Sequence, residues 1–103
     1  NKGALIINYT GHGGLTGWAE EHILDMTTIR SFDNYYRLPL FITATCEFSR
    51  FDNPLFLSAG EEVFLNAKGG SIALMTTTRL AYAHANIALN SRIYYNLKNA
   101  EGN

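Results

Sequence analysis

Three short apolar runs of this chain read as buried strands: Ala4 to Tyr9, Leu40 to Thr45 and Ser71 to Thr77. A half-wet strand alternates apolar and polar residues. The first run does not, so it needs cover on both sides, the habit of parallel strands between helices. Their β-branched and aliphatic content, their length and the Gly, Pro and Asn that bound them favour strand over helix. Pro39 stands just ahead of the second run, where its missing N–H costs least, and Gly69-Gly70 introduces the third.

Helical signals fall between and after these runs. Ala19 to Leu24 is short and acidic at its start, and reads as one or two turns. Thr27 to Tyr35 places Ile29, Phe32 and Tyr36 at helical spacing. Ser58-Ala59-Gly60-Glu61 reads as a capping box, in which hydroxyl and carboxylate each satisfy a free backbone N–H. That helix is expected to reach about Asn66 and to bury Val63 and Phe64. The longest helix is expected from Ala83 to Leu97, with Ala83, Ile87, Tyr94 and Leu97 on one stripe, Leu89 and Ile93 beside it, and Lys98 complementing the dipole. The order β-α-β-α-β-α calls for an α/β fold, a parallel sheet flanked by helices with right-handed crossovers.

The chain has 103 residues, enough for one domain. Hydrophobic residues make up 47%, so a packed core is within reach and disorder is not expected. Eight Lys+Arg against nine Asp+Glu give a net charge of −1, which offers no reason to expect nucleic acid. No apolar run approaches the ~18 residues of a membrane helix, and no signal peptide opens the chain. A doubly apolar first strand wants neighbours on both edges, yet the sequence opens almost directly on it. The chain therefore reads as part of a larger protein, residues 1–103 being the C-terminal part of a domain. Open sheet edges would favour self-association, so a homo-oligomer is also expected.

In open α/β sheets, active sites gather beyond the carboxyl ends of the strands. Thr10-Gly11-His12-Gly13-Gly14 follows the first strand, Cys46-Glu47-Phe48-Ser49-Arg50-Phe51-Asp52 the second and Thr76-Thr77-Thr78-Arg79 the third. His12 and Cys46 thus leave the same end of the sheet. Neighbouring parallel strands lie about 4.8 Å apart, so imidazole and thiol can come within reach. A free thiol is mostly protonated at neutral pH, and an adjacent imidazole can remove that proton and create the nucleophile. Glycines around His12 suggest positive φ and close approach of a substrate backbone. The N–H groups of Gly13 and Cys46 could stabilise a developing oxyanion.

Blander readings stand beside this one. A single cysteine often serves as a small buried hydrophobe, and Gly-rich turns are common. The Gly-His-Gly-Gly loop has a counterpart in esterases, but no Gly-x-Ser-x-Gly elbow accompanies it. His12, His22, His84 and Cys46 lack the paired spacing of a zinc site, so no metal is expected. Trp18 either walls the site or packs in the core. Arg79 either binds a substrate carboxylate or pairs with Glu47 or Asp52, and Glu47 reads as an ion-pair partner of Arg50. Asp52-Asn53-Pro54 reads as a turn. His22, beside Glu20 and Glu21, and His84 read as surface residues.

The segment Asn8-Tyr9-Thr10-Gly11-His12-Gly13-Gly14, with Trp18 and Glu20, resembles the catalytic-histidine region of gingipain-type cysteine peptidases. Leu38 to Asp52, with its Thr45-Cys46-Glu47-Phe48-Ser49-Arg50-Phe51-Asp52 string, resembles their nucleophile region. Ser58-Ala59-Gly60-Glu61 and Gly69 to Arg79 extend the likeness. More narrowly it is similar to the PorU-type sortases of the type IX secretion system of Bacteroidetes. The resemblance implies a caspase-like fold, His12 as base, Cys46 as nucleophile, Gly13 and Cys46 as oxyanion donors, and a substrate pocket bordered by Thr77, Thr78 and Arg79. It implies no cofactor. It further implies cleavage of C-terminal secretion signals from exported proteins and transfer of the acyl group to a lipopolysaccharide amine. The place implied is the cell envelope, at the outer membrane or cell surface. A hydrolytic endopeptidase and a non-catalytic assembly role are the alternatives. The isolated chain is expected to have little activity, which titration with a thiol-directed peptidyl inhibitor checks.

Overall fold

The computed structural model describes residues 2–20 and 22–100. The elements in order are β1 (Ile6–Thr10), β2 (Gly13–Gly14), β3 (Gly17–Trp18), β4 (Leu24–Asp25), α1 (Met26–Arg30), β5 (Leu40–Ala44), α2 (Ala59–Leu65), β6 (Ala73–Met75) and α3 (Ala83–Asn99). The three apolar runs form one sheet in the order β1-β5-β6. Both pairings are parallel, with Ile6 opposite Leu40, Thr10 opposite Ala44 and Leu40 opposite Ala73. The expected α/β class is the observed one.

Within that sheet only β5 meets the expectation of cover on both sides. Its Phe41, Ile42, Thr43 and Ala44 are all buried. The first run is not an inner strand among the described residues. It is an edge strand with Asn8 and Thr10 exposed, and Leu5 just before it is 84% exposed. Apolar composition told what β1 tolerates, not how many neighbours it has here.

The short helix expected at Ala19 to Leu24 is absent among the described residues; Glu21 lies outside them. Strands β2, β3 and β4 form a small antiparallel meander instead. Ala19 and His22 both sit at φ 55, the left-handed region, which breaks a right-handed helix at each.

Helix α1 is shorter than expected. The Asp25 carboxylate accepts the Thr28 N–H at 2.8 Å and starts it. At its end the Ser31 hydroxyl donates to Thr28 O at 2.7 Å. Tyr36 therefore lies beyond the helix and is 94% exposed. Helix α2 starts where the capping signal put it. The Glu61 carboxylate accepts both the Ser58 N–H and the Ser58 hydroxyl, each at 2.7 Å. Val63 is fully buried, but Phe64 is 54% exposed, against expectation. The face that turns inward is Ala59, Gly60 and Val63, and Phe64 is one helical step off it. An Arg30–Glu62 ion pair at 2.7 Å and an Asn66 Nδ2 bond to Ile29 O at 2.9 Å join α1 to α2.

Helix α3 corrects the stripe reading most clearly. Among its residues Asn86 alone is buried, and Ile87, Leu89, Tyr94 and Leu97 are exposed. What docks the helix is polar: Asn8 Nδ2 to Asn90 Oδ1 at 2.7 Å, and Asn86 Nδ2 to Thr45 O at 3.1 Å. The core lies under the other face and joins Trp18, Leu24, Ile29, Phe41, Phe48, Ala59 and Val63. Trp18 stacks on Tyr9 at 4.6 Å between ring centres, and meets Phe41 and Phe48 at 5.7 and 5.6 Å. Such aromatic pairs add about 0.5–1.5 kcal/mol each beyond area burial. The aromatic cluster thereby fastens the meander to β5.

Two tethers have a pH signature. The Thr28 N–H holds the Asp25 carboxyl below its ordinary 3.8, and the Arg30 guanidinium holds Glu62 below its ordinary 4.5. Folded pKa values below the unfolded ones give stabilisation that is complete above the unfolded values. It is lost as pH falls through the folded ones. The urea midpoint is expected to hold steady down to about pH 5 and to drop below about pH 4. Glu62→Gln, lacking the titrating group, should lose less than the parent over that drop.

Candidate active site

The paired register ends with Thr10 opposite Ala44, and one more bond, Gly11 N–H to Ala44 O at 3.3 Å, closes the ladder. His12 and Cys46 each stand two residues beyond that last pair. They leave adjacent strands at the same end of the sheet.

The loops that carry them touch. A Cβ on Gly13 would lie 2.9 Å from Thr45 Cβ and 3.3 Å from Gly17 O, so only glycine lets the histidine loop rest on the cysteine strand. This corrects the expectation of positive φ. Gly11, Gly13 and Gly14 are not at positive φ; close approach is what Gly13 supplies. The His12 carbonyl accepts the Ala19 N–H and the Tyr9 hydroxyl, both at 2.9 Å. That leaves the imidazole exposed, on the wall of an open groove shared with Tyr9, Glu20, His22 and Asp25. Because residues 12 and 19 are the bonded pair of the ladder, Gly13 and Trp18 form the next, non-bonded pair. The Gly13 N–H thus faces away from β3.

Cys46 is a free, half-buried thiol whose Sγ lies 3.5 Å from Ala81 O. Glu47 follows at φ 49, turning the chain sharply off the strand. The turn is stitched from both sides: Glu47 N–H to Arg79 O at 3.3 Å, Ser49 N–H to Thr77 O at 3.1 Å and Gly60 N–H to Phe48 O at 2.8 Å. Phe48 is fully buried against Trp18 and anchors the loop in the core. The start of α2 also takes Leu15 O through the Ala59 N–H at 2.7 Å. One helix end therefore holds both site loops. Among the described residues no hydrogen bond joins His12 to Cys46.

The other expected site residues fall as follows. The Thr77 hydroxyl donates to Thr45 O at 2.5 Å. Thr78 is half-buried, and its carbonyl accepts Arg79 Nη1 at 2.9 Å. Arg79 grips Asp52 with both amino groups, one at 2.9 Å to Oδ1 and the other on Oδ2. That guanidinium holds the Asp52 carboxyl below its usual range, and the carboxylate in turn raises Arg79. Arg50 pairs with Glu47 at 3.0 Å. Trp18 is 6% exposed and belongs to the core, so it supports the site from beneath. His22 and His84 are exposed. Among the described residues no cluster of His, Cys, Asp and Glu is arranged to hold a metal ion. Sequence reasoning missed Asn86. Its signal was there, an amide within the apolar stretch that opens α3, but periodicity counts apolar residues and passes over it.

The family model described as Peptidase family C25 matches residues 1–103. The chain belongs to peptidase family C25. This is the gingipain family of cysteine peptidases. A solved structure titled "Structure of Protease" shares 26% identity with the C25 chain at a TM-score of 0.73. The match covers 82% of this chain and 18% of that one, so the C25 chain spans less than a fifth of that protease's length. A search of curated proteins finds no match.

Proposed function

We propose that this C25 chain carries the catalytic pair of a cysteine peptidase, with Cys46 as nucleophile and His12 as its base. The observation that carries the reading is the register. His12 and Cys46 each follow the Thr10–Ala44 pair by two residues, with Gly13 resting on Thr45 between them. For catalysis the thiol turns from Ala81 O toward the imidazole. His12 takes the Sγ proton, and the sulfur attacks the substrate carbonyl carbon. The oxyanion then receives the N–H groups of Gly13 and Cys46. Collapse breaks the C–N bond, and the imidazolium returns the proton to the leaving amine, giving a thioester on Cys46. An incoming water or amine gives its proton to His12, attacks that thioester, and frees the thiol.

In this reading Thr77, Thr78 and Arg79 border the substrate residue before the scissile bond. The finer assignment is a PorU-type sortase. The substrate is then an exported protein with a C-terminal secretion signal, and the acceptor an amine of lipopolysaccharide at the outer surface of the cell envelope. Sequence likeness in the Cys46 to Asp52 string supports it. Copies of the chain are further proposed to associate through the β1 and β6 edges, where Leu5, Ile72 and Met75 are exposed. A sedimentation profile that stays monomeric at high concentration would count against that.

Mass spectrometry decides among the outcomes. The full-length protein is incubated with a secretion-signal peptide, with and without an amine acceptor. Product carrying the amine supports the sortase. The free acid alone means hydrolysis, and cleavage that survives Cys46→Ala overturns the thiol mechanism.

A further inference from the structure

The carbonyl oxygen of Thr45 takes two hydrogen bonds, from Thr77 Oγ1 at 2.5 Å and from Asn86 Nδ2 at 3.1 Å. Both Thr45 and Asn86 are buried, at 0% and 6% exposure. That carbonyl shares a planar unit with the Cys46 N–H. The Thr45–Cys46 peptide bond is trans, so the two groups point in opposite directions from one rigid plane. Whatever fixes the carbonyl fixes the N–H.

Two donors fill both lone pairs of the oxygen. The plane cannot rotate without breaking two hydrogen bonds, one part-buried and one buried, and an unmade buried bond is costly. A carbonyl loaded this way also polarises its amide, which strengthens the N–H as a donor. The Cys46 N–H itself meets no acceptor among the described residues. It is held and left open.

We propose that Asn86 is a positioning residue for the oxyanion site. It reaches from the first turn of α3 and locks the Thr45–Cys46 peptide, so that the Cys46 N–H keeps its aim at the developing oxyanion. Thr77 completes the clamp from the loop after β6. This rests on the thiol-peptidase reading above. The structure explains why a polar residue holds the one buried position of α3, while Ile87 and Leu89 beside it are exposed. An aliphatic side chain there would leave half the clamp empty.

The test separates oxyanion chemistry from thiol chemistry in the full-length protein. Asn86→Ala is expected to lower kcat on a peptide substrate by about 10- to 100-fold, with KM little changed. Affinity for a peptide aldehyde, whose adduct carries an oxyanion, should weaken in parallel. Alkylation of Cys46 by iodoacetamide, a displacement at saturated carbon, should keep the parental rate. Thr77→Val should show the same split. Asn86→Asp keeps the shape but donates only when protonated, so its kcat relative to the parent should rise as pH falls. Unchanged kcat and aldehyde affinity in Asn86→Ala and Thr77→Val, with Cys46→Ala inactive, would overturn the clamp and leave the thiol reading standing. An iodoacetamide rate that falls in step with kcat would overturn it too, by placing the effect at the sulfur or the fold. Activity retained by Cys46→Ala would remove the thiol reading itself. Should Asn86→Ala fail to fold, Asn86→Asp and Thr77→Val decide.

Discussion

Replacing Cys46 by Ala in the full-length protein is expected to lower peptide-bond cleavage by on the order of 10⁴-fold or more. In the proposed mechanism the sulfur is the atom that becomes the thioester, and no other described thiol exists to replace it. The folding cost should be small. Cys46 is half-buried, and among the described residues its Sγ makes one weak hydrogen bond, at 3.5 Å to Ala81 O. Far-ultraviolet circular dichroism and the urea midpoint should therefore match the parent. His12→Ala is expected to lose about 10²- to 10⁴-fold through its base. The double variant should lose no more than Cys46→Ala alone, because groups that act as a unit are not additive. Two independent losses that multiply would show that His12 and Cys46 do not act together, whatever the family.

The largest structural effect is expected at Gly70. Its φ is 102, and a Cβ there would sit 1.9 Å from the Val63 carbonyl oxygen. Neither partner can give way cheaply. Val63 is fully buried in the core, and its carbonyl accepts the Ser71 N–H at 3.2 Å. Gly70 is pinned on the other side by Asn34, which accepts its N–H at 2.8 Å and donates to its carbonyl at 3.1 Å. Gly70→Ala must break this junction of α2 with β6 or strain the left-handed backbone. Either route puts the cost at about 3–5 kcal/mol, much of a domain's usual 5–15 kcal/mol. Gly14→Ala is the control. No atom lies within 4 Å of its Cβ position, and its cost should stay under about 0.5 kcal/mol. Equal urea midpoints for the two variants would refute the steric account.

Much of the scaffold could be read along the chain because its causes are local. The Ser58 and Glu61 signal placed the start of α2, and the Asn-Pro turn and the Glu47–Arg50 pair follow from neighbours in sequence. The misreadings were of another kind. Ala19 to Leu24 looked helical, but it runs from the end of β3 into β4 of the meander, with Ala19 and His22 in the left-handed region. The α3 stripe looked like a core face, yet that helix is docked by Asn86 and Asn90. Phe64 is expected on a buried face and Tyr36 on a helical stripe from spacing alone, and both are exposed.

The site divides along the same line. The sequence alone determined that three strands are parallel and that His12 and Cys46 leave them at one end, because strand direction and side-chain period are properties of each segment. Only the tertiary structure decided that Thr10 stands opposite Ala44, that Gly13 is small in order to rest on Thr45, and that Asn86 reaches across forty-one positions to hold the Thr45 carbonyl. Those contacts join residues far apart in the chain. Their free energy depends on how whole elements pack, which no window of neighbouring residues contains.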